Sequence, residues 1–190
     1  MDAIHMSQTA RVIPLQPIIS ADQIDKRIRE MARQISDDYR GRTLHILAVL
    51  ENGFMFMADL VRELDGPVVC QFIKPRYRLQ PGNGASDVLE IFFSHDSDIR
   101  GQHVLVMEGL VHSGVTGEFL MSNLRGRGAA SVKLATLLDR QSARRVALQP
   151  DYFGFLVDDA FLVGYGLGNP EQTGRNLPYL VAGTAVVPMT

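Results

Sequence analysis

The chain has 190 residues, of which 46% are hydrophobic and 21% charged, and a formal net charge of -2. This length fits a single domain, 1–190, with a full hydrophobic core, and the composition is that of an ordinary globular protein. The small negative charge gives no electrostatic basis for binding nucleic acid or an anionic membrane. The single cysteine, Cys70, excludes a disulfide framework and a cysteine metal site, and it fits a cytoplasmic protein.

Residues 1–11 are predicted to form a flexible arm. They lack the apolar segment of a signal peptide. No apolar run in the chain approaches the roughly 20 residues of a membrane span. After the arm, Ser20 and Gln23 form a capping-box pattern that predicts the start of a helix, which Gly41 ends.

Apolar periodicity and short apolar runs predict the elements that follow this first helix. In chain order they are a strand at 44–50, a helix at 54–64, strands at 67–73, 88–93 and 104–107, a helix at 118–124, and strands at 131–138, 144–148 and 180–187. Residues 74–87 contain two prolines and two glycines and are predicted to form a long mobile loop.

Helices that alternate with buried strands predict an α/β fold with a mostly parallel, twisted sheet flanked by helices. In such sheets ligands bind at the carboxyl ends of the strands, near the point where the strand order reverses. The loops that follow Leu50, Met107 and Leu138 are therefore the candidates for a binding site.

The most informative stretch lies between the strand at 104–107 and the helix that follows it. It reads His112-Ser113-Gly114-Val115-Thr116, a short turn with a glycine and two hydroxyl side chains. Backbone N–H groups at a helix N-terminus point towards a bound anion, and the helix dipole favours negative charge there. The sequence therefore predicts a phosphate site on residues 113–116.

Five segments of the chain, from about residue 18 onward, resemble the type I phosphoribosyltransferases of the hypoxanthine-guanine branch. That class has a strand, two acids, two apolar residues and Asp-Thr-Gly-x-Thr, and residues 104–116 read Val-Leu-Val-Met-Glu-Gly-Leu-Val-His-Ser-Gly-Val-Thr. The other matching segments are the pyrophosphate loop at 49–60, the purine-recognition strand at 132–138, and the hood segments at 150–165 and 175–179. The resemblance implies that fold, with a small hood formed by 150–180 and the N-terminal region.

The resemblance implies transfer of a phosphoribosyl group from phosphoribosyl pyrophosphate to a 6-oxopurine, with Mg²⁺, in a homodimer or homotetramer. Every site residue that follows is named on that basis alone. The 5′-phosphate would be bound by Ser113, Gly114, Val115 and Thr116, and the pyrophosphate by Asn52, Gly53 and Arg175. The purine would be contacted by Lys133, Tyr152 and Phe153, and its proton would be accepted by His112. Glu108 would contact the ribose and Mg²⁺, and Asp159 would bind Mg²⁺.

Four departures from the family pattern fall at the site, and one of them is Tyr77-Arg78, where the family's mobile loop has a Ser-Tyr pair. Gly109 stands where a second acid would hold a ribose hydroxyl, and His112 replaces an aspartate that faces the purine nitrogen. Glu51 replaces a lysine in the pyrophosphate loop, where like charges about 4 Å apart would repel by roughly 4 kcal/mol. Each implied role also has a plainer reading, such as a solvated acid, a lysine stem packed on the strand, or core aromatic residues.

These departures leave three hypotheses open. The first is a working purine phosphoribosyltransferase, possibly of low activity. The second is a catalytically degenerate member that binds a purine nucleoside monophosphate as a sensor or non-catalytic subunit. The third is the same fold with a different ligand or reaction.

Overall fold

The computed structural model describes residues 17–79, 87–93 and 98–183, with side chains described for 17–75 and 98–183. Within these ranges the chain contains three α-helices and eight strands. They are α1 (Ala21–Asp38), β1 (Leu44–Val49), α2 (Phe54–Glu63), β2 (Val68–Leu79), β3 (Asp87–Phe93), β4 (His103–Val111), α3 (Val115–Gly126), β5 (Ser131–Asp139), β6 (Tyr152–Leu156), β7 (Leu162–Val163) and β8 (Val181–Ala182).

Six of the strands form one twisted sheet in the order β3-β2-β1-β4-β5-β6. All neighbours pair in parallel except β3, which is antiparallel to β2 at the edge of the sheet. β7 and β8 form a separate antiparallel pair, next to a bridge between Ile19 and Leu180. The predicted α/β fold is therefore confirmed, and the chain after β6 builds a second, smaller sheet together with Ile19.

Helices cover both faces of the large sheet, and strand β4 shows this directly. Leu105 and Met107 pack into the core cluster that contains residues of α1 and α2. Val104 and Val106 pack into the cluster that contains residues of α3. All four side chains are completely buried, as a continuous apolar strand in a parallel sheet requires. None of the helices in the described part of the chain combines the length and apolar character of a membrane span.

The start of α1 follows from the capping box that the sequence predicts. The Gln23 N–H donates to Ser20 Oγ at 3.2 Å, and the Ser20 N–H donates to Gln23 Oε1 at 2.8 Å. The helix ends at Asp38, shortly before β1 begins at Leu44. The C-terminus of α1 therefore lies at the amino-terminal edge of the sheet, opposite the edge where a ligand site is expected.

The loop predicted at 74–87 begins later than expected, because β2 continues to Leu79. β2 pairs with β1 only as far as Ile73, and Pro75 pairs only with Ile91 of β3. A proline is tolerated there because its missing N–H can face the unpaired side of the strand. Residues 80–86, like the predicted arm at 1–11, lie outside the described residues.

Three other predicted boundaries change. Residues 144–148, predicted as a strand, are irregular, because Val146 and Leu148 pack against the core beside α3 instead of joining the sheet. Helix α3 begins at Val115, three residues before the predicted start, so Val115 and Thr116 belong to its first turn. β8 covers only Val181–Ala182 of the strand predicted at 180–187, and residues 184–187 lie outside the described residues.

Candidate active site

The turn between β4 and α3 has the geometry of an anion site. Gly114 is the N-cap residue of α3 and has a φ of 79°, which favours glycine. A Cβ on this residue would also lie 2.9 Å from Arg144 Cδ and 3.1 Å from Val146 Cγ2. The Val115 N–H donates to Ser113 Oγ at 3.4 Å, and the backbone N–H groups at the start of a helix suit a phosphate.

The segment after β5 holds this turn in place. The Arg145 N–H donates to the Ser113 carbonyl at 2.9 Å. Arg144 donates from Nη1 to the His112 carbonyl at 3.2 Å and forms an ion pair through Nη2 with Asp139. Asp139 is only 2% exposed. The side chain of His112 is exposed, so the turn is fixed through its backbone while the imidazole faces outward.

Glu108 occupies the end of β4 just before this turn. Its Oε1 atom is buried and has no hydrogen-bond partner among the described residues. A Cβ on Gly117, in the first half of α3, would lie 3.0 Å from that oxygen, so the carboxyl group packs beneath the helix. Burial raises the pKa of Glu108 to about 7, although the charge of Arg144 acts in the opposite direction. The site therefore has a carboxyl group that can accept or donate a hydrogen bond near neutral pH.

The loop between β1 and α2 lies against the end of β4. A Cβ on Gly109 would overlap the carbonyl oxygen of Asn52, and a Cβ on Gly53 would lie 2.8 Å from the Val49 carbonyl. The same Gly53 position is 3.1 Å from the carbonyl oxygen of Met107. These two glycines therefore let the backbone of the loop approach the carboxyl ends of β1 and β4.

Charged side chains converge on that loop from two other parts of the chain. Arg175 donates from Nη1 to Asn52 Oδ1 at 2.8 Å, and its Nη2 lies 3.5 Å from Glu51 Oε2. Lys74, from β2, donates to Glu51 Oε1 at 2.7 Å. Lys74 and Arg175 together lower the pKa of Glu51, Lys74 having the larger effect. Asn52, Gly53 and Arg175 are thus brought together at the carboxyl edge of the sheet.

The structure does not bring Lys133 and Tyr152 to this edge. Lys133 is the third residue of β5 and pairs with Leu105 of β4, so it lies about 10 Å below the level of Glu108. Its Nζ donates to Asp38 Oδ2 and to Tyr152 Oη, both at 2.8 Å. Asp38 ends α1 at the opposite edge of the sheet. Motif resemblance predicts purine contacts for Lys133 and Tyr152, but it does not fix the height of these residues along the strands.

These contacts make Lys133 part of a structural cluster. Its ammonium group lies 4.9 Å from the ring centre of Tyr152 and 5.6 Å from that of Tyr39. Burial disfavours the charged form, but the hydrogen bonds to Asp38 and Tyr152 outweigh this effect and raise the pKa of Lys133. The hydrogen bonds that Asp38 accepts from Lys133 and from Tyr152 Oη lower the pKa of Asp38. The cluster joins the end of α1 to β5 and β6.

Phe153 and Asp159 have separate surroundings. Phe153 is 37% exposed and lines a cavity of about 460 Å³ that also contacts Arg144 and Val146, behind the β4–α3 turn. Asp159 accepts a hydrogen bond from Ser142 Oγ at 2.7 Å in the segment after β5. Within the described residues, no group of three His, Cys, Asp or Glu side chains is placed to hold a metal ion.

Sequence reasoning missed Arg140, which directly follows β5 at the carboxyl edge. Its N–H donates to the Val111 carbonyl at 3.0 Å, and its Nη2 donates to the Ala160 carbonyl at 2.5 Å. The residue is 9% exposed, and its buried Nε atom has no partner among the described residues. The signal was available, because a basic residue just after a buried parallel strand stands where such sheets bind ligands.

Comparisons with known proteins agree with this geometry. A family model of the phosphoribosyl transferase domain matches residues 20–169. The hypoxanthine-guanine phosphoribosyltransferase of Bacillus subtilis is 34% identical over 165 residues, 86% of this chain and 89% of that protein. A bifunctional protein TilS/HprT of Listeria innocua is 37% identical over 86% of this chain. The match covers only 25% of the length of that larger relative.

Solved structures show the same likeness. A hypoxanthine-guanine phosphoribosyltransferase from Bacillus anthracis superposes with a TM-score of 0.77 at 32% identity, covering 88% of this chain and 97% of that one. A hypoxanthine phosphoribosyltransferase from Staphylococcus aureus gives a TM-score of 0.81 at 27% identity, covering 92% and 94%. The chain therefore belongs to the type I phosphoribosyltransferase family and is of the hypoxanthine-guanine kind.

Proposed function

We propose that this protein transfers the phosphoribosyl group of phosphoribosyl pyrophosphate to a 6-oxopurine and releases pyrophosphate. The observation that carries the proposal is a pair of anion-binding features on one edge of the sheet, on either side of Glu108. One is the Ser113-Gly114 turn with the N-terminus of α3, and the other is the β1–α2 loop with Lys74 and Arg175. A substrate with a 5′-phosphate and a pyrophosphate needs two such features.

In this reaction a purine ring nitrogen forms a bond to C1′ of the ribose as the bond from C1′ to the pyrophosphate oxygen breaks. The electron pair of the broken bond leaves with pyrophosphate, and the nitrogen loses its proton. Because the transition state resembles an oxocarbenium ion, the protein contributes positioning and charge neutralisation. Ser113, Gly114, Val115 and Thr116 hold the 5′-phosphate, and Asn52, Gly53 and Arg175 hold the leaving group.

His112 is proposed to accept the purine proton. Its exposed imidazole lies on the turn that binds the 5′-phosphate, and neutral imidazole is a suitable acceptor near neutral pH. Glu108 is proposed to contact a ribose hydroxyl, which would satisfy its unpartnered Oε1. With Gly109 as the next residue, this edge of β4 offers one carboxyl group to the ribose.

The described residues provide no preformed carboxylate cage for Mg²⁺. We propose that Glu108 and Asp159 would be the protein groups nearest to a substrate-bound Mg²⁺, which would neutralise charge on the leaving group. Glu108 packs beneath α3 and Asp159 accepts a hydrogen bond from Ser142. Their roles as magnesium ligands remain predictions.

Self-association as a homodimer or homotetramer is also proposed. Val69 and Phe72 of β2 are each 38% exposed, and since they stand three positions apart on a strand they leave apolar surface on both of its faces. Phe56 and Met57 of α2 are buried in the core and do not add to this surface. Light scattering coupled to gel filtration would measure the assembly. A cytoplasmic location remains a prediction.

The decisive experiment measures pyrophosphate release from phosphoribosyl pyrophosphate with hypoxanthine, guanine or xanthine and Mg²⁺. We expect release well above the blank, a marked loss of kcat in His112→Ala, and unchanged affinity of that variant for ribose 5-phosphate. Absence of release by the folded, unmodified protein would overturn the proposal. Binding of IMP or GMP without turnover would favour the degenerate nucleotide binder instead. Glu51 is one of the departures that favour this alternative, and Lys74 and Arg175 offset its charge.

A further inference from the structure

The carboxylate of Glu51 lies between two cationic side chains from different parts of the chain. Its Oε1 is 2.7 Å from Lys74 Nζ, and its Oε2 is 3.5 Å from Arg175 Nη2. Lys74 comes from β2, directly after the last residue that pairs with β1, while Arg175 lies in the segment between β7 and β8. The carboxylate therefore marks a point at the edge of the sheet where an anion is held by two cations.

The two cations are held in different ways. Arg175 also donates to Asn52 Oδ1 at 2.8 Å, to the Gly166 carbonyl and to Gln172 Oε1. Its guanidinium group is thus fixed without Glu51. Among the described residues, Glu51 is the one ion-pair partner of Lys74. Loss of the Glu51 contact would therefore free Lys74 and leave Arg175 in place.

We propose that Lys74 and Arg175 form the subsite for the diphosphate group and that Glu51 is its internal counter-ion, displaced when the diphosphate binds. This inference rests on the proposed function, because it assigns residues to that reaction's leaving group. It also explains how a loop with an acidic residue can serve a polyanion. The positive charge of the subsite comes from Lys74 of β2 and from Arg175, and not from the β1–α2 loop itself.

The exchange of one anion for another is physically reasonable here. The side chains of Glu51 and Lys74 are 50% and 47% exposed, so the released carboxylate regains its hydration at little cost. A diphosphate carries more charge than one carboxylate and accepts charge-assisted hydrogen bonds from both cations. Glu51 therefore lowers the affinity of the subsite for other anions.

Calorimetric titration with sodium pyrophosphate at low ionic strength tests this arrangement. We expect Lys74→Gln to weaken pyrophosphate binding about tenfold, because a hydrogen bond between charged groups is lost. Glu51→Gln should tighten binding about threefold to tenfold, because a competing charge is removed. Lys74→Arg, which keeps the charge, should retain most of the affinity.

The double variant separates direct contact from neutralisation. If Lys74 contacts the diphosphate, adding Lys74→Gln to Glu51→Gln will again weaken binding about tenfold. If Lys74 only neutralises Glu51, the double variant will bind as tightly as Glu51→Gln, and the inference is overturned. Weaker binding by Glu51→Gln, or no measurable binding of pyrophosphate by the unmodified protein, would also overturn it.

Matched controls come from exposed residues on the helices. Lys26→Gln on α1 and Glu63→Gln on α2 make the same charge changes elsewhere and should leave pyrophosphate affinity unchanged. The transfer assay keeps the two proposals apart. Absence of transfer by the unmodified protein counts against the proposed function, whereas normal transfer and pyrophosphate affinity in Lys74→Gln count against this inference alone.

Discussion

The backbone carbonyl of Asn52 faces Gly109 so closely that residue 109 has no room for a side chain. A Cβ on Gly109 would overlap the carbonyl oxygen of Asn52 and lie 3.3 Å from the Asn52 Cβ. The β1–α2 loop therefore occupies the space that an acid after Glu108 would need. The glycine at position 109 and the close approach of the β1–α2 loop therefore depend on each other.

We expect Gly109→Ala to displace the β1–α2 loop, because the contacting atoms belong to the backbone and cannot rotate away. The free energy of unfolding should fall by about 1–3 kcal/mol, the usual cost of overpacking. Affinity for pyrophosphate should fall as well, because Asn52 and Arg175 move with the loop. Chemical denaturation and calorimetry with pyrophosphate measure the two effects.

Gly126→Ala is the matched control, since Gly126 lies in α3 and a Cβ there meets nothing within 4 Å. This change should be neutral or stabilise the helix by roughly 0.5–1 kcal/mol. Equal effects of the two substitutions, or unchanged pyrophosphate affinity in Gly109→Ala, would contradict the proposed packing.

The turn that precedes α3 gives a second prediction. In Gly114→Ala the alanine must adopt a left-handed φ, and its Cβ would lie 2.9 Å from Arg144 Cδ. Gly128→Ala imposes a similar φ, at a glycine whose nearest contact would be Arg100 Cγ at 3.4 Å. Both variants should lose about 1 kcal/mol of stability from backbone strain. Only Gly114→Ala should also lose affinity for ribose 5-phosphate, measured by calorimetry. Similar losses of ligand affinity in both variants would show that the turn has no special role.

Much of the fold could be predicted because local signals and tertiary packing agree. The capping box at Ser20 and Gln23 places the start of α1, and the apolar run at 104–107 identifies the central strand β4. Two of the wrong boundaries have clear physical causes. Pro75 suggests a loop, but β2 pairs on one side only at this position and therefore tolerates a proline. Residues 144–148 alternate between more and less buried side chains because Val146 and Leu148 pack against the core from an irregular segment.

The candidate site was only partly predictable. Sequence motifs predict the phosphate turn at 113–116 because its chemistry lies in consecutive residues. The motif around Lys133 does not indicate which end of β5 faces a ligand, and Arg140 at the carboxyl end of β5 has no motif that singles it out. The contact between Glu51 and Lys74 joins residues 23 positions apart, and no local pattern indicates such a pair.

A third prediction concerns the structural cluster around Lys133. Lys133→Met removes the hydrogen bonds to Asp38 and Tyr152, so the free energy of unfolding should fall by about 1–2 kcal/mol. The KM for the purine should change less than about twofold, since the cluster lies at the opposite edge of the sheet. Lys26→Met, at an exposed position of α1, is the control and should be neutral in both measurements. A large rise in purine KM with unchanged stability would instead restore Lys133 to the purine pocket.

The last prediction concerns the buried carboxyl group of Glu108. Burial raises its pKa to about 7 from an ordinary value of 4.5. The folded protein therefore binds this proton more tightly than the unfolded chain does, and unfolding releases it between pH 4.5 and 7. The stabilising effect of the bound proton is complete below pH 4.5 and is lost as the pH rises through 7. At pH 8 the ionised group costs about 2–3 kcal/mol.

Glu108→Gln should remove this cost, because an amide of the same shape carries no charge. The variant should be more stable than the unmodified protein at pH 8 by about 1–3 kcal/mol, and this difference should shrink towards pH 5. Urea denaturation at several pH values measures both curves, with Glu63→Gln at an exposed position of α2 as the control. Parallel pH profiles of Glu108→Gln and the unmodified protein would show that the Glu108 carboxyl group does not titrate in this range. The same variant should transfer phosphoribosyl groups more slowly if the carboxyl group contacts the ribose.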